Sequence, residues 1–178
     1  YIGTGIGLIK YDKQKGSFEP VPELNNNLVY DIKEDSKGNL WMATYVNGVF
    51  VYDPKNKKCE HFESSEKEGS LPYNKVLSIF EDSKKQIWLT TEGRGFCRFD
   101  PATKTFIQYS TQQGSPSDVV YQIVEDDSGY FWITTNTGLV KFDPQTQATK
   151  TYTVASGLLS DQFNYKSSYK TTNGDIWF

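Results

Sequence analysis

The chain of 178 residues has one histidine, one methionine and two cysteines. The single His61 excludes a histidine-based triad or a two-histidine metal site built from this chain alone. Cys59 and Cys97 make no metal-spaced pair. They fall in slots that are mostly apolar in neighbouring stretches of sequence, as buried free thiols do. Cysteine usage therefore does not identify a compartment. No apolar run approaches the ~20 residues of a membrane helix, so this segment is not expected to touch a membrane. Basic charge is also scarce: 19 Lys and Arg face 22 Asp and Glu, for a net charge of -3. Only Lys57–Lys58 and Lys84–Lys85 adjoin, which argues against a nucleic-acid surface and for solvated faces. No signal peptide opens the chain; it begins in mid-motif, as a piece of something longer would. What is plentiful is 15% aromatic residues and 14 glycines, a composition suited to strands joined by many turns.

The aromatics recur. Trp41, Trp88, Trp132 and Trp177 stand 47, 44 and 45 residues apart, in the texts "WMAT", "WLTT", "WITT" and "WF", and "YIGT" opens the chain. That period suits propeller blades or helical pairs. Each unit holds four short runs rich in Val, Ile, Tyr, Phe and Trp, broken by Gly, Asn, Asp and Pro, with no 3.6-residue spacing, so the runs are strands. Strand a reads "NLVYDIKED", "NKVLSIFED" and "DVVYQIVED"; strand b carries the tryptophan; strand c reads "GVFVYD", "GFCRFD" and "GLVKFD"; strand d is the most polar. Gly38 and Gly129 fit tight a–b hairpins, and Asp-Pro ends each strand c. The fold class is all-β, a β-propeller fragment of about four blades of four-stranded antiparallel sheets. The units are a partial blade over 1–26, blades over 27–73, 74–117 and 118–161, and a partial last blade over 162–178. Each tryptophan can bury about 150–250 Å². One blade alone cannot cover such a ring, so blades must stack. Trp41, Trp88, Trp132 and Trp177 are structural first.

At these residues the chain resembles the two-component regulator propeller repeat: strand, acidic turn, Gly, Trp, small residue, Thr, Gly-Leu, Tyr-Asp. The resemblance implies a sensor region of a bacterial hybrid two-component protein. Such proteins carry two seven-bladed propellers in the periplasm, an Ig-like domain, a membrane helix and a cytoplasmic histidine kinase that feeds a phosphorelay. The tail "QFNYKSSYK" looks like the segment placed in the final blade, so the chain resembles the late blades of the second propeller, about half of a seven-bladed ring. A second geometry is open to the residues themselves, in which the tail supplies strand a to the strands of Tyr1–Val21 and closes a ring of four blades. The resemblance favours the open arc.

Few residues suggest chemistry. The hairpins "DSKGN" and "DDSGY" lack the length and terminal Glu of a calcium loop, so no metal and no cofactor is expected. The pairs Glu34–Asp35, Glu81–Asp82 and Glu125–Asp126 recur with the repeat, and neighbours on a strand point to opposite faces, which does not suit a glycosidase pair. No catalytic residue is assigned, and the chain is not expected to be an enzyme. The d–a and b–c connections are polar and aromatic. Tyr45, Tyr73, Arg94, Asn136 and Asn164 are the candidate ligand-binding residues, with rings to stack on sugars and amides and a guanidinium to bond them. The reading is a carbohydrate-sensing module that binds an oligosaccharide. Its further partners are the neighbouring propeller and the Ig-like domain, with a homodimer in the intact receptor. The alternatives are blades that only pack or dimerise, and, less favoured, a propeller lyase or glycosidase.

Overall fold

The computed structural model describes residues 1–178 and contains 17 strands, with no helix beyond three short 3-10 turns of three residues each. The strands form five separate antiparallel sheets. The first is β1 (Ile2–Thr4), β2 (Gly7–Asp12) and β3 (Ser17–Val21). Three complete blades follow. One is β4 (Val29–Glu34), β5 (Leu40–Thr44), β6 (Val49–Asp53) and β7 (Lys58–Phe62). The next is β8 (Val76–Glu81), β9 (Ile87–Thr91), β10 (Phe96–Asp100) and β11 (Thr105–Tyr109). The third is β12 (Val120–Glu125), β13 (Phe131–Thr135), β14 (Leu139–Phe142) and β15 (Thr149–Tyr152). Two short strands, β16 (Tyr169–Lys170) and β17 (Ile176–Trp177), form the last sheet.

The inner strands β1, β4, β8 and β12 lie side by side in sequence order, so the sheets fan around a common axis. The tail strand β16 pairs with β17 alone and does not join β1–β3. The arc is open; the four-bladed ring is not formed. No helix is long and apolar enough to cross a membrane.

The core lies between sheets, and its logic is directional. Trp41 packs into a cluster with Leu71, Val76, Ile87, Leu89 and Phe106, which belong to the following blade and its approach, and is 3% exposed. Trp88 packs likewise against Ile123, Phe131 and Phe142 and is 1% exposed. Trp132 is only half-buried, where the repeat pattern predicts a largely buried ring: the following sheet has two strands and offers it Phe178 at 6.4 Å. Trp177, with no sheet beyond it, is 65% exposed. Each indole is thus sealed by the blade after its own. Cys97 is buried in the first of these clusters, Cys59 is half-exposed, and both are free thiols, with burial pushing the Cys97 thiol up.

The acidic pairs hold this stack. Asp35 accepts the amides of Lys37 and Asn39, each at 2.9 Å, which makes it the hairpin cap, and its other oxygen takes the Trp41 indole N–H at 2.9 Å. Asp82 with Trp88 and Asp126 with Trp132 repeat both features. Burial would raise the Asp35 and Asp126 carboxyls, but the tryptophan N–H and the turn amides hold both below the usual value. The neighbouring glutamates reach backwards: Ser36 N donates to Glu81 at 3.0 Å, and Ser83 N to Glu125 at 2.7 Å. At the next junction the pair is inverted, with Lys170 Nζ 2.6 Å from Asp127. Carboxylate repetition here serves the hairpin and the blade contact.

Candidate functional site

A bulge of one residue interrupts each inner strand at the same place, between Val29 and Asp31, Val76 and Ser78, and Val120 and Gln122. A bulge re-aims the extra side chain. The extra residues are Tyr30, Leu77 and Tyr121, and all three line one hollow of about 450 Å³ with Leu28, Tyr165 and Lys166. The tail thus returns to the inner strands. Tyr165 sits edge-on to Tyr121 at 4.9 Å and to Tyr30 at 6.4 Å, and Lys166 Nζ lies 3.0 Å from Asp31.

The b–c and d–a connections meet at the same end of the arc. Tyr45 N donates to Leu28 O, Glu92 N to Lys75 O and Gly93 N to Asp118 O, tying each b–c loop to the chain entering an inner strand. Glycine is required where this loop turns into strand c: Gly95 has φ +73°, and a Cβ there would collide with the Tyr109 carbonyl.

Tyr45 stacks on Tyr30 at 5.3 Å and accepts a hydrogen bond from Lys75 Nζ at 2.8 Å; Lys75 also pairs with Glu92. Burial would lower the Lys75 ammonium, but Glu92 and Tyr45 push it up. The Tyr165 hydroxyl is pushed up by burial and by Glu92. Tyr73 is 39% exposed and lies against Gly93, next to Arg94. Arg94 is exposed and anchored through its backbone, its N–H donating to Thr91 Oγ1 and its carbonyl accepting from Gln108; its guanidinium has no ion-pair partner. Asn136 accepts from Ser117 Oγ at 2.7 Å, and Asn164 is exposed with its carbonyl bonded by Ser167. No hydrogen bond or ring contact joins any two of Tyr45, Tyr73, Arg94, Asn136 and Asn164. Sequence reasoning missed Tyr30, Lys75, Glu92, Tyr121 and Tyr165, which join Tyr45 in a chain of contacts, and Lys166, which pairs with Asp31 beside them. The signal that could have found them is the unequal residue at one inner-strand position: Tyr30, Leu77 and Tyr121.

His61 stacks on Phe50 at 3.9 Å, and its Nε2 lies 2.7 Å from Asn47 O, so its ring is committed to packing.

Four-stranded antiparallel sheets fanned about an axis, with loops gathered at one end, define a β-propeller arc. Residues 23–46, 70–93 and 114–137 match the family described as two component regulator propeller. Among solved structures, it is similar to the extracellular domain of a putative hybrid two component system from B. thetaiotaomicron. The two share 22% identity with a TM-score of 0.85, over 98% of this chain and 25% of that one. PorZ, a surface component of the type-IX secretion system of Porphyromonas gingivalis, shares 16% identity over 98% of this chain and 29% of its own, with a TM-score of 0.66. Virginiamycin B lyase from Staphylococcus aureus shares 17% over 84% of this chain and 48% of its own, with a TM-score of 0.62. At these identities the likeness is one of fold. The chain spans a quarter to a half of the length of these structures. No curated protein matches the chain.

Proposed function

We propose that the chain is a ligand-sensing propeller segment of a hybrid two-component receptor, standing in the periplasm. It recognises an oligosaccharide released from a polysaccharide, and a histidine kinase elsewhere in the receptor passes the signal into a phosphorelay. The observation that carries this reading is the family of its repeats, found on residues 23–46, 70–93 and 114–137. The polar and aromatic end of the arc supports it. In a repeat protein the structural residues recur from copy to copy. The loop residues Tyr45, Glu92 and Asn136 and the approach residues Leu28, Lys75 and Val119 do not. Tyr73 and Arg94 offer a half-exposed ring and a guanidinium without an ion-pair partner on loops at this end, a platform and a fork for a sugar. The same end faces the neighbouring propeller and the Ig-like domain, and in the dimer it is completed by a second copy. The chain itself is not an enzyme: its one imidazole is stacked and bonded, and its paired carboxylates serve hairpins.

Calorimetry on the whole extracytoplasmic region with an oligosaccharide panel tests the reading. Arg94→Ala and Tyr73→Ala are each expected to weaken the ligand that binds by about tenfold or more. Wild-type affinity and wild-type dimerisation in both variants would leave these blades as packing elements only.

A further inference from the structure

A second cleft lies at the opposite end from the rim. It opens between the sheets β4–β7 and β8–β11, beside the a–b hairpins and the c–d turns, and encloses about 630 Å³. That is within the range of roughly 300–1,000 Å³ in which small-molecule sites fall. Its apolar wall includes Val51, Phe62 and Phe99. Its cations are Lys37, Lys58, Lys84, Lys85, Arg98 and Lys104.

These cations are a departure from the repeat. In the gap between the next two sheets, the same six positions hold Lys84, Thr105, Ser128, Gly129, Lys141 and Gln147, as the strand registers and turns align them. Six cations become two, and the Lys141 ammonium is already seated 3.9 Å over the Tyr130 ring. Packing therefore does not ask for a cation at four of these places. Lys85 stands where three other hairpins have Gly38, Gly129 and Gly174, and it takes the same left-handed conformation at φ +65°, which glycine adopts without strain.

The cleft also contains five carboxylates against its six cations, each already accepting hydrogen bonds, which leaves it a net charge of +1. Asp35, Asp53 and Asp100 accept amides of their own turns, and Glu81 accepts Ser36 N. Glu60 is bonded by Lys104, the only one of the six cations with an ion-pair partner. Arg98 is the informative case. Its half-buried guanidinium lies 5.8 Å from the Trp88 ring and has one long contact, 3.5 Å to Gln86 Oε1. A guanidinium has five donors in a planar fork, and most of those of Arg98 have no partner.

We propose that this cleft is a second binding site, for a molecule of disaccharide size that bears two or more sulfate or carboxylate groups. Arg98 grips one anionic group in the depth of the cleft, and Lys85 and its lysine neighbours hold another at the mouth. The site is independent of the rim and does not rest on Arg94 or Tyr73.

The test is calorimetry on the purified protein with three probes: a disulfated disaccharide, a disaccharide of two uronic acids, and a neutral disaccharide. At least one anionic probe should bind saturably and lose affinity as salt rises, and the neutral one should not bind. The sulfated and uronic arms tell the two sources of the anion apart. Arg98→Gln is expected to weaken binding by about tenfold or more, because the bidentate fork is lost. Lys85→Gly restores the glycine of the other hairpins, so it should weaken binding without lowering the melting temperature, which keeps the test free of misfolding. Absence of binding by both anionic probes, equal binding of the neutral one, or unchanged affinity in Arg98→Gln and Lys85→Gly overturns the proposal. If Arg94→Gln abolishes anion binding while Arg98→Gln does not, the anion sits at the rim; the cleft proposal then falls and the rim reading stands.

Discussion

Trp88 and Trp177 occupy the same place in their repeats, and their surroundings differ in two respects: Trp88 has a full sheet beyond it and an aspartate six residues before it. Phe131 meets its ring at 5.1 Å and 88°, and Asp82 takes its indole N–H at 2.9 Å. Trp177 has neither: no sheet lies beyond it, and the residue six positions before it is Thr171, which bonds its own turn instead. Trp88→Ala should therefore destabilise the protein by about 3–5 kcal/mol, the cost of emptying a large buried site. Trp177→Ala should cost under about 1 kcal/mol, as at an exposed position. Urea titration of the two variants checks the pair, and equal losses would contradict the directional packing. The residue six before each tryptophan was visible in the sequence as Asp35, Asp82 and Asp126. Its hairpin role was legible, since aspartate commonly caps a turn. The bond to the indole was not, because it depends on where strand b places its ring.

Between elements, the backward reach of Glu81 and Glu125 joins hairpins that lie more than forty residues apart in sequence, so it cannot be seen within one repeat. A trace of it is present all the same. Where the glutamate becomes Lys170, the serine opposite becomes Asp127, and the charges exchange sides. Lys170→Glu alone should put like charges together and cost about 0.5–1 kcal/mol, the scale of a surface pair. Adding Asp127→Ser rebuilds the arrangement of Ser36 and Glu81 and should recover most of the loss. A double-mutant cycle in denaturant reads the coupling, and strict additivity would show that the two side chains do not interact. The ligand face was legible for a similar reason: once strands a to d are placed, topology sends the d–a and b–c loops to one end. Which side chains meet there was not legible. The bulges at Tyr30, Leu77 and Tyr121 turn those residues toward the hollow, and a pattern of alternating burial gives no sign of a bulge. The cleft around Arg98 escapes the sequence as well, because the gap between two sheets depends on how far they splay.

At the scale of the whole molecule, a stack in which each sheet seals the one before it has a stability set by neighbours. The sheet β8–β11 is covered on both sides, and its inner strands are buried along most of their length. The pair β16–β17 is covered on one side only. Native-state hydrogen exchange should therefore show slow amides in β8 and β9, faster ones in β4 and β12, and the fastest in β16 and β17. Uniform protection from end to end would mean that the arc opens only as one unit.

The graded exposure of the four indoles also gives the protein an optical property. Trp41 and Trp88 emit from an apolar surround, while Trp177 emits from water, so the fluorescence band is a sum of a blue component and a red one. A sheet seated on the face of β16–β17 would shift only the red component. Trp177 thus reports whether the face of β16–β17 is covered.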